Sequence, residues 1–161
     1  MKAVLFALAC LFYISSYAKP VNDSTPSISS KMFFAAVIVK KVDSSIAWYR
    51  KVFDLKLRDS TYNDQRGFKQ VNLHNDRVFF ELIELKKGLD KNQFLTDQFK
   101  GYSIQGLRKI GFTVNDLDAW HKRLEALNVR FLGNTVTDRV SNKRTFLVLD
   151  PDENLIQFFE E

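Results

Sequence analysis

One pattern occurs twice in this chain and constrains its fold more than any other feature: an apolar strand, a polar step, an amphipathic helix, then further strands. The first copy opens with Phe33-Phe34-Ala35-Ala36-Val37-Ile38-Val39 and runs into Asp43 to Tyr49. The second opens with Ile110-Gly111-Phe112-Thr113-Val114 and runs into Asn115 to Trp120. A repeat of this size in one small domain implies two similar modules that share one core.

The periodicities assign the elements. Phe33 to Val39 is almost continuously apolar, which predicts a strand buried on both faces. Behind Asp43, a suitable cap, Ile46, Tyr49, Val52 and Phe53 recur at helical spacing. Leu55-Lys56-Leu57 predicts a short strand, and Gly67 to Leu73 and Arg77 to Leu85 predict two more around the turn His74-Asn75-Asp76. In the second half Leu117, Trp120, Leu124 and Leu127 predict a helix capped by Asn115 and stopped by Asn128. Val129 to Leu132, Arg144 to Leu149 and Leu155 to Phe159 read as its strands. Each half is therefore a βαβββ unit, residues 32–85 and 107–161, and the fold class is α+β. Residues 86–106 form a polar linker with scattered Phe94, Leu95 and Phe99, expected to pack with at least one helical turn.

The segments before the repeat point to export. Lys2, the apolar run Ala3 to Ile14 and the small residues Ser16 and Ala18 read as a signal peptide over 1–18, cleaved after Ala18. The run falls short of the ~20 residues that cross a bilayer as a helix, so no integral span is expected in the mature protein. Residues 19–31, rich in Ser, Pro, Asn and Asp, read as a flexible linker. The remaining 32–161 suffice for one domain with its own core. Cys10 is the sole cysteine and lies in the signal, which leaves the mature protein without disulfide or thiol chemistry. The expected location is periplasmic or extracellular.

Net charge is +5, with lysine and arginine spread along the chain and one local basic patch at Arg139, Lys143 and Arg144. A nucleic-acid surface would need a denser basic stripe with interleaved aromatics, so no nucleic-acid partner is expected.

Two motifs make the pattern specific. Ser45-Ile46-Ala47-Trp48-Tyr49-Arg50-Lys51-Val52-Phe53 resembles the first-helix signature of the vicinal oxygen chelate superfamily, and Asp150-Pro151-Asp152-Glu153-Asn154-Leu155-Ile156-Gln157 resembles its Asp-Pro-Asp-Gly-Asn signature. That superfamily includes glyoxalase I, bleomycin-resistance proteins, fosfomycin-resistance enzymes and extradiol dioxygenases. The resemblance covers residues 32–161 and implies two βαβββ modules curled into a cup. The chain departs from the pattern at Asp54 and Glu153, which stand where relatives have glycine. A left-handed backbone there would cost the glutamate about 1 kcal/mol.

The resemblance also implies where chemistry would sit. Metal-using members hold a divalent ion between the modules on side chains from the first and last strand of each. The positions matching by spacing are Phe34, Glu81, Lys109 and Gln157. Phenylalanine has no donor atom and a lysine ammonium has only protons to offer, so no metal and no cofactor are expected. Alternation along the strands places Phe79 beside Glu81 and Phe159 beside Gln157, in a mostly apolar cup. Phe34, Phe79, Glu81, Lys109, Gln157 and Phe159 are thus the expected ligand-binding residues. Phe33, Phe80, Phe112 and Phe158 are expected in the core, and His74 and His121 on the surface. A buried charge needs a partner, so Lys109 and Glu81 are expected either to pair across the cup or to reach solvent at its rim.

Together these features favour an exported, metal-independent protein that binds a small, partly apolar ligand. The alternative is a glyoxalase-like lyase, isomerase or dioxygenase with a metal, or with catalysis rebuilt on Glu81 as base and Lys109 as electrophilic stabiliser. A homodimer is compatible with either.

Overall fold

The computed structural model describes residues 32–93 and 105–161. The expected signal peptide, the linker 19–31, and Phe94, Leu95 and Phe99 lie outside the described residues. The elements run β1 (Phe33–Val39), α1 (Val42–Phe53), β2 (Lys56–Asn63), β3 (Phe68–His74), β4 (Val78–Leu85), β5 (Lys109–Val114), α2 (Leu117–Ala126), β6 (Arg130–Phe131), β7 (Val136–Thr137), β8 (Arg144–Leu149) and β9 (Leu155–Glu160). The first sheet has strand order β1-β4-β3-β2, with β1 parallel to β4. The second has order β5-β9-β8-β6, with β5 parallel to β9 and β7 added on β8. The same topology therefore occurs twice, as the duplicated pattern requires.

β1 and β4 alternate between a face against the helix and a face away from it. In β1, Ala35, Val37 and Val39 turn toward the core, while Phe34 and Ile38 are 59% and 60% exposed. The expectation of a strand buried on both faces is thus corrected. A helix covers one face only, and the apolar residues on the other side face an open surface. β5 follows the same rule, with Ile110, Phe112 and Val114 inward and Lys109, Gly111 and Thr113 outward.

The helix sides of both sheets meet in one aromatic core. Phe53, from the last turn of α1, lies 5.6 Å from Phe80, 5.0 Å from Phe112 and 6.1 Å from Phe158, ring centre to ring centre. Trp120 of α2 stacks on Phe158 at 5.1 Å. Such pairs add about 0.5–1.5 kcal/mol each beyond their area. Phe80 and Phe158 are fully buried and Phe112 half-buried, but Phe33, at the strand's start, is partly exposed although its ring still reaches Phe112 at 5.1 Å. The two helices also clasp each other: Lys51 Nζ donates to the Leu127 carbonyl at 3.0 Å, and Arg123 donates to the Lys51 carbonyl at 3.1 Å.

Several local expectations are corrected, some of them by partners distant in sequence. α1 begins at Val42, so Asp43 sits within its first turn, and the Val42 N–H is capped instead by Glu84 Oε2 from β4 at 2.8 Å. α2 is capped by Asp116 rather than Asn115, its carboxylate accepting from the Ala119 N–H at 2.8 Å. Asn128 ends it in the left-handed region, as the sequence suggested. The short strand at Leu55–Leu57 becomes the eight-residue β2, which is polar and exposed along its length. Backbone pairing with β3 makes it a strand, and its charges suit a sheet edge. The strand expected at Val129–Leu132 is only Arg130–Phe131, and β7 carries no apolar alternation that would announce it. His74 closes β3 rather than sitting in the turn.

Asp54 and Glu153 adopt φ of 53° and 63°, the left-handed backbone their family-like positions demand. Asp54 closes α1, its N–H bonded to the Arg50 carbonyl. Glu153 is anchored by Arg130 at 2.8 Å and Asn92 at 3.1 Å, contacts that a glycine would forgo.

One buried bond joins α1 to the second module's closing turn. Tyr49, fully buried, donates its hydroxyl to Asp150 Oδ2 at 2.9 Å. The same carboxylate accepts the N–H groups of Asp152 and Asn154 at 2.9 and 2.7 Å, and the Asn154 side-chain amide at 2.9 Å. Burial, aided by the Asp150 charge, pushes the Tyr49 hydroxyl well above its ordinary value of 10.0. A raised folded value means the stability it contributes is present below pH 10 and is lost as pH rises further. Tyr49→Phe should therefore cost about 1.5–3 kcal/mol at neutral pH, the worth of a hydrogen bond to a charged group, and should flatten the decline in stability above pH 10. Urea titrations at pH 7 and across the alkaline range measure both.

Glu84 carries the opposite sign. Its bond from the Val42 N–H, with lesser help from Lys41 and Lys69, holds its carboxyl below the ordinary 4.5. Its contribution is complete above pH 4.5 and fades as pH falls through the lowered folded value. Glu84→Gln should weaken the cap by about 1 kcal/mol near neutrality and less in acid, read as the gap between the melting curves of the two proteins from pH 7 down to pH 3.

Candidate functional site

The face of each sheet turned away from its helix carries the candidate site. On the first sheet, register sets Asn72 opposite Glu81, Gln70 opposite Ile83 and His74 opposite Phe79. A polar row results. Gln70 Nε2 donates to Glu81 Oε2 at 2.6 Å and to Asn72 Oδ1 at 3.3 Å, and the Asn72 amide donates to Asp59 of β2. Beside this row the apolar members stack: the Phe34 and Phe79 rings are 5.4 Å apart, and the Arg58 guanidinium lies 5.4 Å from the centre of Phe79. Asp59, a further 3.4 Å contact of Arg58, keeps that cation over the ring.

On the second sheet Gln157 is 4% exposed and its neighbours are small or apolar. Its Nε2 donates to Thr145 Oγ1 at 2.8 Å, and Thr145 in turn donates to the Phe158 carbonyl at 2.7 Å. The amide oxygen, Oε1, is buried and has no hydrogen-bond partner among the described residues. Gly111 lies opposite Gln157, and the ring of Phe159 approaches within 3.4 Å of where a Gly111 side chain would begin.

The expected pairing of Lys109 with Glu81 is not found, since no ion pair joins them among the described residues. Lys109 is exposed, and Glu81 is only half-buried with one oxygen already held by Gln70. Neither charge is stripped of water, so neither requires the other. The field of Lys109 is felt instead at Asp138, whose carboxyl is held down chiefly by the N–H and hydroxyl of Ser141. His121 is half-buried rather than free on the surface, packed 4.4 Å from the Phe131 ring with its Nδ1 3.5 Å from Glu125. His74 shares the cup side with Phe79. The basic patch is partly neutralised, because Arg144 pairs with Asp118 at 2.6 Å and with Glu160 at 3.4 Å.

A hollow of about 1010 Å³ lies at the end of the first sheet, lined among others by Lys40, Lys69, Glu84, Lys91 and Asp152. It shares Ile38, Phe68 and Leu85 with the cup side but includes none of Phe34, Glu81, Lys109 and Gln157. Its open, charged rim is braced by the ion pair of Lys40 with Asp90 at 2.8 Å, which sets it apart from the apolar stack and buried amide of the cup faces.

The model of the Glyoxalase/Bleomycin resistance protein/Dioxygenase superfamily matches residues 31–158. The chain belongs to this superfamily. Among known proteins it is similar to YwbC, an uncharacterized protein of Bacillus subtilis (strain 168), at 20% identity over 138 residues, 83% of this chain and 99% of that protein. The fold matches a glyoxalase family protein from Enterococcus faecalis with a TM-score of 0.69 at 13% identity, covering 82% of this chain and 98% of that one. It also matches a lactoylglutathione lyase from Agrobacterium tumefaciens with a TM-score of 0.56 at 19% identity, covering 84% and 96%. At such identities the likeness speaks for the fold alone.

The superfamily's metal-using members set the test for this chain's donors. Phe34 brings no donor, Lys109 brings only N–H, and Glu81 and Gln157 bring one carboxylate and one amide oxygen. Among the described residues no three His, Cys, Asp or Glu side chains converge. This donor set does not fit a divalent ion, which wants several converging lone pairs. The residues that sequence reasoning missed are Asp59, Gln70, Asn72 and Thr145. Asp59 lies in the polar β2, and the other three show their importance only once strand register sets them against Glu81 and Gln157.

The absence of a Lys109–Glu81 pair is open to direct measurement. Lys109→Met should change unfolding free energy by less than about 0.5 kcal/mol, whereas Gln70→Ala, which frees Glu81 and Asn72, should cost about 1 kcal/mol. A loss of more than about 2 kcal/mol in the lysine variant, beyond the range of a surface substitution, would reinstate the pair.

Proposed function

We propose that this chain is an exported, metal-independent member of the superfamily that binds a small, partly apolar ligand in the cup between its two modules. The observation that carries the reading is the side-chain set facing the cup: exposed Phe34 and Ile38 and the Phe34–Phe79 stack lie beside a hydrogen-bonded polar row ending at Glu81. Binding needs apolar area and a few fixed polar groups, and both are present. Metal independence is supported by the donor chemistry at Phe34 and Lys109. Export is supported by the pattern at Lys2, Ala3 to Ile14 and Ala18.

Screening a panel of metabolites and antibiotics by thermal shift, with and without a chelator, tests the reading. A ligand at about 100 times its dissociation constant should stabilise the protein by about 2.7 kcal/mol, equally in both conditions. Phe34→Asp should weaken that ligand at least tenfold with an unchanged melting temperature, because the ring is 59% exposed in the free protein. A stoichiometric divalent metal in the purified protein would overturn metal independence, and cytoplasmic retention with Met1 intact would overturn export.

A further inference from the structure

We infer that Thr145 holds the Gln157 amide in one orientation, oxygen free, so that the second sheet's side of the cup recognises a hydrogen-bond donor, a hydroxyl or N–H, on the ligand. The inference rests on the small-ligand reading above and adds the polarity of one contact.

The orientation follows from counting protons. A threonine hydroxyl has one proton, and Thr145 spends it on the Phe158 carbonyl at 2.7 Å. Toward Gln157 it therefore presents only lone pairs. The amide must turn its NH₂ to Thr145, which it does at 2.8 Å, and a flipped amide would set oxygen against oxygen. Oε1 is thereby left buried and without a partner among the described residues. A buried acceptor in this state costs free energy until a donor reaches it. A ligand that supplies the donor regains that energy, and one that supplies another acceptor does not.

Phe159 flanks this atom, opposite Thr145 in the strand register. On β5 the register partner of Phe159 is Thr113, yet its ring leans back over Gly111, the partner of Gln157. The lean is accommodated because position 111 has no side chain. Phe159 is only half-buried, so its ring meets solvent at the edge of the Gln157 row. Thr145 is then a positioning residue and Gln157 the contact.

The test uses matched probes that differ in one donor: phenol against anisole, and indole against 1-methylindole, titrated by ligand-observed NMR. The expected result is about tenfold tighter binding of phenol and indole, a preference retained in Thr145→Ser and lost in Thr145→Val. Gln157→Leu should abolish the preference without lowering the melting temperature, since it removes the orphaned oxygen, whereas a purely structural glutamine would lose stability. The side-chain amide protons of Gln157 supply a readout that needs no ligand, and they should be distinct and slowly exchanging in the parent protein but not in Thr145→Val. Binding of all four probes with no donor preference overturns the inference and leaves the cup reading intact. Binding of none overturns both.

Discussion

The buried bond from Tyr49 to Asp150 is the constraint on which the rest of the structure depends. A carboxylate this deep would be costly if left alone, and here it accepts from a hydroxyl, two backbone N–H groups and a side-chain amide. The bond takes its donor from the middle of the first helix and its acceptor from the turn that launches β9. It therefore fixes how the first module meets the strand carrying Gln157. The aromatic contacts of Phe53 with Phe112 and Phe158 fill the space beneath it. Apolar packing of this kind is strong but tolerant of sliding, whereas the hydrogen-bonded carboxylate admits one geometry.

That geometry leaves the two cup faces with different characters. The first sheet's polar side chains satisfy one another along the row from Asp59 through Asn72 and Gln70 to Glu81. On the second sheet the Gln157 amide is held through Nε2 by Thr145, and its Oε1 is left without a partner among the described residues. A self-satisfied row is inexpensive to keep beside water, while an orphaned oxygen costs free energy until a donor reaches it. Lys109 stays exposed and forms no ion pair with Glu81 among the described residues.

The resemblance to the superfamily was legible because its signatures lie where backbone demands are strict. Asp54 and Glu153 occupy left-handed positions, which the spacing of the motifs already implied. The bounds of β1 and β8 were also legible, since each is a run of six or seven residues, rich in apolar and β-branched side chains and too short for a stable helix. Where local signals erred at α1 and β2, a distant residue had intervened. Glu84 rather than Asp43 caps α1, because β4 delivers a carboxylate to the helix start from 42 residues away. The polar β2 is a strand because β3 pairs with it, and nothing in its own side chains requires that.

For the candidate site the division is sharper. Residue identity alone determined that Phe34 and Lys109 bring no lone pairs to a metal, since donor chemistry belongs to the side chain wherever it is placed. The duplicated periodicity likewise determined that two helix-backed sheets would share one core. Only the tertiary structure decided that Glu81 would answer to Gln70 instead of Lys109, and that Thr145 would turn the Gln157 amide. Those outcomes depend on strand register and on burial, which set distances and hydration between residues far apart in the chain, and no local stretch of sequence encodes either.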